Sequence, residues 1–162
     1  SYNSGLSTFD IRVSGNAELY IETSGGNYSI SNISNFIIEG DNSSTCNADV
    51  TINAVGGHAL GFLKNSRANC SFVVNSNKTF TIKRSASTVK QNAITFGNGT
   101  HNISILSYIT IEKFENALAF GNNPSFGSVI CDHKINTINC KERIGWPDNV
   151  PSGLDVDSWF TL

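Results

Sequence analysis

Asn92-Ala93-Ile94-Thr95-Phe96-Gly97-Asn98 returns 24 positions later as Asn116-Ala117-Leu118-Ala119-Phe120-Gly121-Asn122. Cys46 and Cys70 are also 24 apart. A phrase repeated at this distance points to a chain wound into stacked coils, with like residues falling over like at each revolution. Strand signals fill the text around it. Phe9–Val13 and Ala17–Glu22 alternate apolar and polar residues, as half-buried strands do. Similar short segments are Tyr28–Ile33, Phe36–Glu39, Asp49–Asn53, Ala59–Leu63, Ser71–Asn75 and Thr79–Lys83. Ala93–Phe96, Asn102–Leu106, Tyr108–Lys113, Ala117–Phe120, Ser128–Cys131 and Lys134–Ile138 complete the set.

Gly and Asn stand between these segments, for example at Ser14-Gly15-Asn16, Ser24-Gly25-Gly26-Asn27, Asn65-Ser66 and Gly97-Asn98-Gly99. Both residues accept the left-handed backbone angles of tight corners. Ser85–Asn92 and Lys113–Asn116 alone read as able to hold a helical turn, so helix is expected over less than about a tenth of the chain. The segments fall into six rows of about 21 to 24 residues, with Asn92, Asn116 and Asn139 at row ends. The expected fold is all-β: a right-handed parallel β-helix of about six short coils with a stacked Asn ladder. An antiparallel β-sandwich or jelly roll is the alternative that short, regularly spaced strands also allow.

The coiled text is expected to occupy residues 1–140. Beyond Cys140 the texture changes: Lys141-Glu142-Arg143 is charged, and both tryptophans and two of the three prolines follow. Residues 141–162 read as a C-terminal cap or tail over the exposed end of the stack.

Of the 162 residues 39% are apolar and only 15% charged, and Asn and Ser each number 21. That polarity without charge fits a turn-rich β protein, whereas disordered chains are poorer in aromatic and β-branched residues. A net charge of −2 argues against nucleic acid as a partner, because phosphate binding needs a basic face. No apolar run approaches the roughly 18 residues of a membrane span. The chain has no Met, so it reads as a mature form or an excised piece.

The four cysteines lack Cys-x-x-Cys spacing, and His58, His101 and His133 lack i, i+4 ligand spacing, so no metal site is expected. An even cysteine count in so polar a chain favours two disulfides and an oxidising compartment. The expected pairs are Cys46–Cys70 and Cys131–Cys140, with other connectivities open. Seven N-glycosylation sequons occur, at Asn27, Asn32, Asn42, Asn69, Asn77, Asn98 and Asn102. Chance in a chain this rich in Asn, Ser and Thr gives roughly four, so the excess favours an extracellular or cell-surface location only modestly.

Tyr108-Ile109-Thr110-Ile111-Glu112, running on to Ala117-Leu118-Ala119-Phe120-Gly121-Asn122, resembles coil text of right-handed parallel β-helix proteins. Phe36-Ile37-Ile38-Glu39-Gly40-Asp41 shares the likeness. That group includes pectate-lyase-like enzymes, phage tailspikes and bacterial adhesin passengers. Gly56-Gly57-His58-Ala59, Phe62-Leu63-Lys64-Asn65 and Phe72-Val73-Val74-Asn75 resemble the repeats of polymorphic outer-membrane adhesins, with His58 interrupting the first. The resemblance implies architecture over about Thr8–Cys140 and carries no catalytic motif. Separately, Cys131–Cys140 followed by Gly145-Trp146-Pro147 is similar to the globular head of a type IV pilin-type subunit.

The carboxylates are scattered singly. Glu18, Tyr20 and Glu22 share one strand face, and a carboxylate pair at suitable separation can cleave glycosidic bonds. Glu112 and Glu115 read as a solvated corner. No Gly-x-Ser-x-Gly and no phosphate-cradling loop is present, so no catalytic residue and no cofactor is expected. The expectation is a non-catalytic surface module that recognises a glycan or a host receptor. Its candidate contacts are Tyr20, Tyr28, Tyr108, Trp146 and Trp159, whose rings can stack on sugars. A polysaccharide-active hydrolase or lyase and a self-assembling filament or virion subunit are the alternatives.

Overall fold

The computed structural model describes residues 9–23, 28–62, 69–86, 89 and 91–162. Fifteen short strands follow one another. β1 (Phe9–Val13), β2 (Glu18–Thr23) and β3 (Tyr28–Ile30) form the first coil, and β4 (Ile33–Ile38), β5 (Asp49–Ala54) and β6 (His58–Phe62) the second. β7 (Asn69–Val74), β8 (Phe80–Arg84) and β9 (Asn92–Phe96) make the third, and β10 (Gly99–Ile105), β11 (Ile109–Glu112) and β12 (Asn116–Phe120) the fourth. β13 (Pro124–Cys131), β14 (Ile135–Ile138) and β15 (Glu142–Gly145) make the last.

Every third strand pairs, always in parallel. The result is three five-stranded sheets, ordered β1-β4-β7-β10-β13, β14-β11-β8-β5-β2 and β15-β12-β9-β6-β3. They are called the first, second and third sheets below. The chain is therefore a three-sided parallel β-helix. It makes four full revolutions between β1 and β13 and finishes a fifth coil. The expected six rows of 21 to 24 residues are corrected to five coils of uneven length. Register partners lie 36 apart at Phe36 and Phe72 but 24 apart at Ile94 and Leu118. Each true coil holds three strands where the expected rows held two or three.

Columns of apolar side chains hold the coils together. In the first sheet the column runs Ile11, Phe36, Phe72, Ile103, Val129. In the second it runs Leu19, Val50, Phe80, Ile109, Ile135. In the third it runs Ile30, Leu60, Ile94, Leu118, Ile144. These residues join one core cluster or pack against it. Alternation is clean along β10, where every second residue from Gly99 is buried.

Three 3-10 turns, Asp41–Ser43, Pro147–Asn149 and Val156–Trp159, are the helical content among the described residues. Lys113–Asn116 forms a corner, with Lys113 in the left-handed region (φ 66°), and no helical turn. The other proposed turn, Ser85–Asn92, lies partly outside the described residues. So do Asn27 and the turns at Ser24–Asn27 and Asn65-Ser66.

β15 continues the stack past Cys140, and the chain leaves the sheets at Trp146. Its end lies against the last coil: Phe160 bridges Ile135, and the His133 and Lys134 N–H groups donate to the Ser158 and Trp159 carbonyls. Trp159 plugs the coil end, edge-on to Phe96 and Phe126. No helix among the described residues is long and apolar enough to cross a membrane.

All four cysteines are free thiols, which corrects both expected disulfides. Cys46 forms a parallel bridge with Ser76, six positions beyond Cys70. The four steps from Cys70 to Val74 alone span roughly 13 Å of extended chain, beyond the ~7 Å Cα limit of a disulfide. Cys131 ends β13 in the first sheet and Cys140 follows β14 in the second. The intervening strand holds them roughly 10 Å or more apart by the same measure. A 24-residue spacing matched the third sheet, and these cysteines lie elsewhere. Each thiol instead meets a carbonyl: Cys46 that of Asn75, Cys70 that of Ile33, Cys131 that of Trp159 and Cys140 that of Ile111.

Candidate functional site

The corner between the second and third sheets is turned by a left-handed residue in three successive coils: Gln91 (φ 70°), Lys113 (φ 66°) and Asn139 (φ 54°). Asymmetric carbons pay for that backbone with a clash of Cβ against carbonyl, so the corner is over-determined by its neighbours. The Glu115 N–H donates to the Gln91 carbonyl at 2.9 Å, and the Glu142 N–H to the Glu115 carbonyl at 2.7 Å. The corners therefore stack, and so do the residues that open the strands after them.

Those opening residues are Tyr28, His58, Asn92, Asn116 and Glu142, one per coil. Tyr28 pairs in register with His58, and Asn116 with both Asn92 and Glu142. Tyr28 stacks on His58 at 4.6 Å between centroids. The Asn92 N–H donates to His58 Nδ1 at 2.8 Å, which places the ring proton of the neutral imidazole on Nε2. The Asn116 amide donates to Asn92 Oδ1 at 2.8 Å. This is the Asn ladder, two members long, bounded by His58 below and Glu142 above.

A groove of about 640 Å³ runs along this column. Its walls are His58, Gln91, Asn92, Glu115, Asn116, Glu142, Ile144 and Gly145, and Trp146 and Pro147 close it at the C-terminal end. Gly145 leaves the room there that the Asn116 side chain fills. A Cβ on it would lie 2.5 Å from Asn116 Cγ. Trp146 is left-handed (φ 52°), which turns the chain out of β15, and 53% of its surface is exposed.

Charge in the groove is acidic. Glu115 and Glu142 supply two carboxylates, and Lys141 reaches Glu115 Oε1 at 3.6 Å. His58 adds no positive charge near neutrality: burial, and secondarily the Arg84 guanidinium, push its pKa below the usual imidazole value. The guanidinium itself donates to the Gly56 carbonyl at 3.0 Å. Among the described residues no group of three or more His, Cys, Asp or Glu is placed to hold a metal ion. The arrangement offers amide and carboxylate hydrogen bonds beside one exposed indole.

Of the five aromatic contacts expected from sequence, Trp146 lines the groove and Tyr28 flanks it through His58. Tyr20 and Tyr108 belong with the second sheet. The Tyr20 hydroxyl donates to Glu22 at 2.8 Å and accepts from Asn53 at 3.1 Å. The Tyr108 ring carries the Lys134 ammonium at 4.6 Å. Trp159 is corrected from ligand contact to core, at 2% exposure. Glu18 lies apart from the groove, with Asn16, Asn47, Asp49 and Lys78 at another corner. Of the sequons, Asn32, Asn42, Asn69, Asn77 and Asn98 are exposed and Asn102 is half-buried.

Glu142, Glu115 and Gln91 escaped the sequence reading as site residues. The signal was a third copy of the repeat, His58-Ala59-Leu60-Gly61-Phe62, which aligns with Asn92–Phe96 and Asn116–Phe120. No protein-family model, no curated protein and no solved structure matches the chain.

Proposed function

We propose that this chain is a non-catalytic extracellular binding module that holds a glycan in the groove of its third sheet. One observation carries the reading. An exposed indole, Trp146, stands at the end of a polar groove lined by residues of successive coils. An extended polymer fits such a shape, with one ring against the indole and hydroxyls against Asn, Gln and Glu side chains. A glycan on a host receptor fits the same description. Sugar-binding sites elsewhere combine these elements because each ring has an apolar face and a polar rim. The surface location rests on the exposed sequons, since the free thiols withdraw the cysteine argument. The test is a glycan array with the wild-type chain and Trp146→Ala. Retained binding in the variant, or no binding by the wild type, rejects the reading.

A second reading, a polysaccharide-cleaving enzyme, is favoured by one observation: Glu115 and Glu142 line the same groove. A pair of carboxylates is the usual machinery of glycoside hydrolysis. Release of reducing ends by the wild type, abolished in Glu142→Gln, selects cleavage. Binding without release selects the module.

A further inference from the structure

Resting on the glycan-binding reading, we infer that the groove takes a polysaccharide bearing positively charged amino groups, a glucosamine-type polymer, and rejects uronates. Three features converge on an ammonium ligand. Glu115 and Glu142 present two carboxylates from adjacent coils, their backbones joined by the 2.7 Å bond from the Glu142 N–H to the Glu115 carbonyl. Carboxylates make their strongest hydrogen bonds to charged N–H donors. Trp146 exposes its indole beside them, and an indole face attracts ammonium groups more than any other aromatic side chain does.

The third feature is what the walls leave out. Among the described residues that line the groove there is no lysine and no arginine. Among the described cations, Lys141 is engaged with Glu115, Arg84 with the Gly56 carbonyl, and Arg143 with the Thr161 carbonyl and the Phe160 ring, while Lys113 turns the corner before Glu115 and does not line the groove. His58 accepts the Asn92 N–H at Nδ1, and burial pushes its pKa below the usual imidazole value. A uronate chain would set its carboxylates against Glu115 and Glu142 with no lysine or arginine among the described lining residues to meet them, and like charges at such range repel. Neutral hexoses would use the amides and the indole but gain nothing from the two acids.

The test is calorimetric titration of the whole chain, in mildly acidic low-salt buffer, with four hexamers: glucosamine, N-acetylglucosamine, glucose and galacturonate. The glucosamine hexamer is expected to bind at least about tenfold more tightly than the others, the difference one charged hydrogen bond supplies. Added salt weakens that binding selectively. Glu115→Gln and Glu142→Gln each remove most of the preference while leaving the circular dichroism unchanged. Equal or tighter binding of the acetylated, neutral or uronate hexamer overturns this inference and leaves the glycan reading standing. Binding of none of the four overturns both.

Discussion

The Phe96 and Phe120 rings pack 5.6 Å apart, centroid to centroid, although 24 residues separate them. Phe62 continues the stack at 5.6 Å on the other side of Phe96. Three coils thus place the same residue in the same column, which an antiparallel sandwich has no reason to do. The aromatic column is the inner counterpart of the polar column His58, Asn92, Asn116 four residues earlier. Whatever fixes the one fixes the other.

Phe96 also meets His101, Phe126 and Trp159. Phe96→Ala is expected to cost about 3–5 kcal/mol, the range for deleting a fully buried aromatic. Tyr108→Ala, at a 60% exposed site, is expected to cost under about 1 kcal/mol from the lost Lys134 contact. Urea denaturation of both variants checks the contrast, and equal losses would contradict the core assignment.

Gly145→Ala drives a Cβ into the Asn116 side chain and displaces the amide that bonds Asn92 Oδ1. Because Asn92 is buried, the stranded acceptor is expected to cost about 1–3 kcal/mol. Asn116→Ala, which removes the same donor, is expected to fall in that range. The denaturation midpoints of the two variants test whether one hydrogen bond underlies both.

His101 is 1% exposed, ringed by Phe62, Phe96 and Phe126. Its Nε2 meets the Gly97 carbonyl at 2.7 Å, while Nδ1 has no partner among the described residues. Burial pushes its pKa below the usual imidazole value, against the Gly97 bond. The unfolded ring titrates near about 6.5, so below that the unfolded chain binds more protons than the folded one. Stability is full above about pH 6.5 and falls as pH drops through that value toward the folded pKa. His58 is shifted in the same direction. His101→Gln is expected to flatten the stability profile between about pH 7 and pH 5, read from denaturant midpoints. An unchanged slope would show that the ring does not titrate on unfolding.

Burial pushes the Cys131 thiol up to about 11 and raises the Cys140 thiol as well. Little thiolate is present in the folded chain at ordinary pH, and thiolate is the reactive form. Alkylation is expected to be slow in the native state. In denaturant without reductant all four cysteines are expected to react. A mass showing fewer than four adducts would restore a disulfide.

The architecture was legible because the third sheet repeats its phrase with only two changes, Thr95 to Ala119 and Ile94 to Leu118. Coil length was not, because corners differ. Partners are 34 apart at Leu60 and Ile94 but 26 apart at Leu118 and Ile144. Varying corners hid the copy at His58, and Glu142-Arg143-Ile144-Gly145 carries no Phe to announce the fifth. The groove stayed hidden for the same reason. Its two acids stand 27 residues apart in sequence and meet only when the corner repeats. Trp146 and Trp159 looked alike as sequence. Folding separates them, since one leaves the stack at a left-handed corner and the other fills its open end.

The most direct test of the binding site is a nuclear magnetic resonance titration of the isotope-labelled chain with glucosamine and glucose hexamers. The account predicts that the Trp146 indole N–H, the Gln91 and Asn116 amides and the Gly145 backbone N–H shift together, while the Trp159 indole stays still. Shifts confined to Tyr20 and Tyr108 on the second sheet, or no shift with either hexamer, would contradict it.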